Sequence, residues 1–173
     1  MYLKNYIKQY PENGIYMFSK LTEDSSLDDV KEIKRIKIDN RLITMPLDVN
    51  DFKDSLVIFD DIDCIKNKEQ KAALNDLKNE ILETGRHSHT TILITSHLSC
   101  KGNETRSILN EAHSITLFPG SGMPIDYLLT NYVGLDKKQI QNLKNIPSRW
   151  ITLLRQYPQM LLTEHSVRFM KDL

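Results

Sequence analysis

Asp60, Asp61 and Asp63 stand directly after the apolar run Leu56-Val57-Ile58-Phe59. Adjacent carboxylates at the end of such a run have the form of a Walker B segment. There one acid, Asp60, holds Mg²⁺ on a nucleotide, and the next, Asp61, orients or deprotonates the attacking water. The plain alternative is a core strand that leaves into a solvated acidic turn. A second polar set, Thr95-Ser96-His97, ends the apolar run Ile92-Leu93-Ile94. Nucleotide hydrolases pair two such tips, with acids on one strand and a side chain on its neighbour that senses the γ-phosphate. His97 also reads as an ordinary strand-end residue with its ring bonded to the backbone.

Other chemistry is weaker in the pattern. Three acids within Asp60–Asp63 raise a two-metal nuclease, but such a site also wants carboxylates on other strand tips, which read Thr-Ser-His and Phe-Pro-Gly. His87-x-His89 lacks a third and fourth ligand at a zinc spacing. Cys64 has no His placed beside it and reads as a small packed residue. Arg86 follows Gly85 just ahead of a strand. It suits a surface ion pair, or an arginine that reaches a neighbouring subunit's γ-phosphate, with Arg106 and Arg149 as rivals.

The elements that must position these residues follow from periodicity. Residues 55–60 are short, β-branched and aromatic, and so predict a strand buried on both faces, as in a parallel sheet. Ile15–Ser19 and Thr90–Thr95 predict two more, and Ile33–Ile38 a charge-guarded edge strand. Leu3, Tyr6, Ile7 and Tyr10 mark a helix at the amino end. Residues 67–84 give the strongest helix, with Gly85 as its stop. With a further strand over His113–Phe118, the middle of the chain alternates strand and helix. That is the pattern of an α/β fold with a mainly parallel sheet, which collects its ligands at the strands' carboxyl ends. The last third predicts helices over Ile125–Tyr132 and Asp136–Leu143, then an antiparallel pair, Trp150–Gln156 with Met160–Thr163. Residues 1–122 are therefore expected to form the core and 123–173 a small α+β extension.

Bulk properties narrow the class. The 173 residues suit one domain with a small appendage, and 23 bases balance 23 acids, so no general basic field marks a nucleic-acid binder. No apolar run approaches membrane-spanning length, and the amino end lacks a signal-peptide pattern. The two cysteines, Cys64 and Cys100, form no CxxC, which makes a reduced, intracellular setting the default.

The strings Val57–Asp63, Glu83–His87, Ile92–His97 and Asn110–Ile115, with Ser148-Arg149-Trp150, occur in an order that resembles the DNA-packaging ATPases of large double-stranded DNA viruses. These form the poxvirus and giant-virus branch of the FtsK–HerA superfamily. The resemblance implies a RecA-like P-loop core, a homo-oligomeric ring, and ATP hydrolysis driving double-stranded DNA into a capsid. It further implies ATP and Mg²⁺ as cofactors, capsid or portal components as partners, and a host cytoplasm or virus factory as the location. By motif, Asp60 is the Mg²⁺ acid, Asp61 the catalytic acid and His97 a sensor-strand residue. Thr95 and Ser96 line the nucleotide, and Arg86 is the first choice for the arginine finger.

The family's G-x-x-x-x-G-K-[ST] string, which cradles phosphates, occurs nowhere in these residues. Residues 1–10 resemble the helix that follows it, so a chain truncated after the P-loop is expected. A late start codon, a split gene and a lineage that has lost hydrolysis each account for this. The resemblance also leads one to expect a vacant sheet position between the central and sensor-side strands. A non-catalytic assembly subunit is the alternative function.

Overall fold

The structure is a computed structural model that describes residues 2–21, 23–25, 27, 30–96, 102–119 and 125–173. The chain divides into two units, Met1–His97 and Leu98–Leu173. The first holds α1 (Tyr2–Gln9), β1 (Gly14–Ser19), β2 (Ile33–Ile36), α2 (Arg41–Thr44), β3 (Ser55–Asp60), α3 (Lys68–Thr84) and β4 (Thr91–Thr95). The second holds α4 (Gly102–Glu111), β5 (Ser114–Leu117), α5 (Ile125–Leu128), α6 (Lys137–Lys144), β6 (Ile151–Leu154), β7 (Met160–Leu162) and β8 (Val167–Phe169). No described helix is long and apolar enough to cross a membrane.

In the first unit the strands form one parallel sheet in the order β2-β1-β3-β4. Strand β3 is hydrogen-bonded on both edges, and Leu56, Val57, Ile58 and Phe59 are at most 2% exposed. Its side chains alternate between two cores, as strand geometry requires. Leu56 and Ile58 join Ile15, Met17, Leu3 and Tyr6 beneath α1. Val57 and Phe59 join Phe18, Leu74, Leu77 and Ile81 beneath α3. The Phe18 and Phe59 rings, register neighbours, stack at 5.2 Å, and Phe52 meets Phe18 edge-on at 6.0 Å. The expected gap between the central and sensor-side strands does not exist. Leu56–Asp60 pairs directly with Thr91–Thr95.

The long helix starts where its sequence says it should, at the N-cap Asn67, whose side chain accepts from the Glu69 and Gln70 amides. It ends at Gly85, the expected stop. Gly85 is right-handed, at φ −55° and ψ −25°. Close approach favours glycine there, since a Cβ would lie 3.2 Å from the Thr90 carbonyl oxygen and 3.1 Å from Ile81 Cγ2, and these neighbours would have to yield by a few tenths of an ångström.

The second unit has its own antiparallel sheet, β5-β6-β7-β8. The β6–β7 pair matches its expectation. The strand over His113–Phe118 does not belong to the parallel sheet, because β5 pairs antiparallel with β6. The unit boundary thus falls at His97/Leu98 instead of 122. The reason is legible afterwards. Ile115 and Leu117 are buried while Ser114 and Thr116 are exposed, the alternation of a sheet with one wet face. Arg155, just past β6, donates through Nη1 to the Leu109, Asn110 and Ala112 carbonyls and so satisfies the end of α4. Asp136 caps α6 in a reciprocal box with Gln139.

Replacing Phe59 by Ala removes the ring that touches both Phe18 and the α3 core. A loss of about 3–5 kcal/mol is expected, read as a lower denaturant midpoint with an unchanged slope.

Candidate functional site

The parallel register decides what meets at the carboxyl edge of the first sheet. Ser19 pairs with Asp60, and Asp60 with Thr95, so three polar residues end three adjacent strands in one row. They continue the rows Met17, Ile58 and Leu93 and therefore share the face that α1 covers. Ser19 Oγ donates to Asp60 Oδ2 at 2.8 Å, and Thr95 Oγ1 donates to Asp60 Oδ1 at 2.8 Å. Each carboxylate oxygen thus holds one hydroxyl donor, which fixes the plane of the group. Further lone-pair directions on both oxygens remain for another ligand.

Asp61 ends the strand in the left-handed region, at φ 47° and ψ 35°. Aspartate is one of the few residues that adopt this conformation at modest cost. The kink lets the Asp61 amide donate to Thr95 Oγ1 at 3.2 Å, so one threonine hydroxyl ties both acids to β4. The chain then enters a 3₁₀ turn, Ile62–Cys64, anchored by buried Ile62. Ser96 Oγ donates to Asp63 Oδ2, and Lys71 Nζ holds the Asp63 carbonyl at 3.1 Å. The tips of β3 and β4 are therefore joined twice.

Thr95 and Ser96 meet the acids as expected from sequence. Sequence reasoning missed Ser19, and it left Asp63 in the turn without a partner. The available signal for Ser19 was that its strand, like β3 and β4, ends in an oxygen-bearing side chain after an apolar run. His97 lies outside the described residues. Arg86 is not part of the constellation. It sits in the 3₁₀ turn Gly85–His87 that leads into β4, and is exposed, with Nε 3.5 Å from His87 Nε2. A five-residue strand, about 13 Å long, separates that turn from Thr95. Arg106 is exposed on α4. Arg149 is engaged with Glu164, through Nε to Oε1 at 2.9 Å and through its amide to Oε2 at 3.0 Å.

The donor set at the β3 tip is one carboxylate flanked by hydroxyls, hard oxygens of the kind Mg²⁺ takes when most of its shell is water and phosphate. Among the described residues no group of three or more His, Cys, Asp or Glu side chains is arranged to hold a metal by itself. His89 is bound instead to Asp54, Nδ1 to Oδ1 at 3.1 Å. Cys64 is exposed and free.

The chain is 45% identical over 171 residues to "Uncharacterized protein V3" of Sputnik virophage, a match that covers 96% of this chain and 69% of that protein. No protein-family model matches the chain. No solved structure matches it either.

The Arg149 amide and guanidinium hold the Glu164 carboxyl below its ordinary value of 4.5. Because the folded-state value is the lower one, the pair's contribution to stability is complete above the unfolded-state value. It is lost as pH falls through the folded-state value. A carboxyl-resolved NMR titration should place the Glu164 midpoint below 4.5, and Arg149→Ala should return it to the ordinary range.

Proposed function

The chain belongs to the family of the Sputnik virophage protein V3, and we propose that it is a genome-packaging motor ATPase of the FtsK–HerA type. The observation that carries this reading is the in-register row Ser19–Asp60–Thr95 at the carboxyl edge of a parallel sheet, with Asp61 next in the chain. Open parallel sheets bind ligands at that edge.

In this reading Mg²⁺-bound ATP supplies a phosphoryl group whose transfer to water drives the motor. Asp60 would hold the ion, oriented by its two hydroxyl donors. Asp61 would orient the attacking water and take its proton. Its left-handed backbone aims it from a fixed point, because the Asp61 amide is tied to Thr95. Thr95 and Ser96, with His97 beyond them, would report the state of the nucleotide to the β3 turn through Asp60 and Asp63. Arg86, at the far end of β4, would serve only a neighbouring copy in a ring. Double-stranded DNA would be the substrate moved, with capsid or portal components as partners, in the host cytoplasm or a virus factory.

None of the 173 residues forms the G-x-x-x-x-G-K-[ST] cradle, so this reading takes the phosphate donors from another segment. The same observation favours the second reading, a non-catalytic subunit that assembles with an ATPase. The two are separated on the reading frame extended upstream of Met1. For the motor, Mg²⁺-dependent ATP hydrolysis is expected. Asp61→Asn should lower its kcat by about 10²–10⁴-fold while nucleotide binding persists. Equal rates with and without Asp61 would remove the role given to that acid, and absence of hydrolysis in both would leave the assembly reading. Ser19→Ala tests positioning separately. It should raise the Mg²⁺ concentration for half-activity about tenfold with little change in kcat.

A further inference from the structure

On the helical layer that covers the Val57–Phe59 face, α2, the segment after it and α3 enclose a groove of about 440 Å³. Its floor is apolar, formed chiefly by Ile43, Pro46, Leu47, Ala72 and Ala73. It is open where α3 places two alanines, Ala72 and Ala73, instead of longer side chains. Met45 beside it is 73% exposed and Ile43 37%. Apolar surface left open in this way marks a contact site when it is contiguous and has a polar rim.

The rim is Glu69, Asp76 and Glu80. Spaced by seven and four residues, these acids fall along one line of α3 about 16 Å long. No Lys or Arg is among the groove's described lining residues. Within α3 itself no base stands three or four residues from any of the three acids. Asp76 and Glu80 are, moreover, a like-charge pair at the i,i+4 spacing, which weakens an isolated helix. Glu69 lies in the first turn of α3, where an acid suits the helix dipole, but Asp76 and Glu80 have no such role, and all three line the space above an apolar floor.

We propose that this groove docks an amphipathic helix of a partner protein, with aliphatic side chains on the floor and Lys or Arg along the flank that meets the acids. Charge complementarity selects this occupant. A polar or acidic segment would leave the floor unfilled or oppose the rim, whereas a basic amphipathic helix satisfies both and needs about three turns to span them. The site lies on the opposite sheet face from the Asp60 row and does not depend on any nucleotide chemistry.

The test uses the whole chain and a fluorescent helical peptide of about 15 residues, with Leu at the i, i+3, i+4 and i+7 positions and Lys along one flank. A second peptide carries Glu in place of Lys. Saturable binding of the Lys peptide alone is expected. It should weaken about tenfold in the triple variant Glu69→Gln/Asp76→Asn/Glu80→Gln. It should also weaken when salt rises from about 50 to about 300 mM. Ala73→Trp fills the groove while keeping every acid and should abolish binding, with circular dichroism and the thermal midpoint confirming that each variant folds. Absence of saturable binding would overturn the proposal. So would equal binding of the two peptides, or binding that survives Ala73→Trp. Concentration-dependent self-association lost in Ala73→Trp would give the groove to a second copy and overturn the partner assignment.

Discussion

Strand β3 must satisfy two rows of backbone groups and hide two faces at once, and the first unit is arranged around that requirement. Its amides and carbonyls pair with β1 on one side and β4 on the other. Its four central side chains are at most 2% exposed. Burying each of these contributes roughly 1.5–3 kcal/mol, enough that a slip of one residue, which would exchange the two faces, is strongly disfavoured. The helices α1 and α3 exist as cover for those faces, and the aromatic contacts of Phe18, Phe52 and Phe59 fill the space beneath α3.

The same register produces the site. Once the apolar rows are locked, the residue that ends each strand has no choice of neighbour. Ser19, Asp60 and Thr95 come side by side because Met17, Ile58 and Leu93 do. A carboxylate at the end of a buried strand would be costly without partners. Here two hydroxyl donors supply them, and the price of the arrangement is the left-handed backbone at Asp61. Orientation of Asp60 and stability of the sheet edge are therefore one interaction seen from two sides.

The second unit solves its own problem separately. Four short antiparallel strands and the helices around them bury Leu129, Leu143, Ile151, Leu153 and Leu161 completely. A π-helical turn over Leu129–Val133 widens the end of α5, and Gly134, at φ 81°, closes it in a conformation suited to glycine. Arg149, one of the rival arginines offered by the sequence, and Arg155 are both committed to structure. One holds Glu164 and the other holds the carbonyls at the end of α4.

What the sequence determined by itself was local. The apolar run into Asp60, the period of α3 with its Asn67 cap, the Asp136–Gln139 box and the β6–β7 pair depend on residues near one another in the chain, so pattern and propensity suffice. The pairing of Thr95 with the acids was also legible, because both end buried strands. The tertiary structure alone decided which strands are neighbours. It removed β5 from the parallel sheet, closed the position beside β3, set Arg86 a strand length from the acids, and gave Gly85 a packing reason. It also brought in Ser19, 41 residues from Asp60, and gave Asp63 to Ser96. Each of these rests on contacts between distant segments, where the choice is made by burying faces and satisfying backbone groups together. No residue carries that information alone, so the acids could be named from the chain, but the hydroxyls that hold them appear only once the sheet is in register.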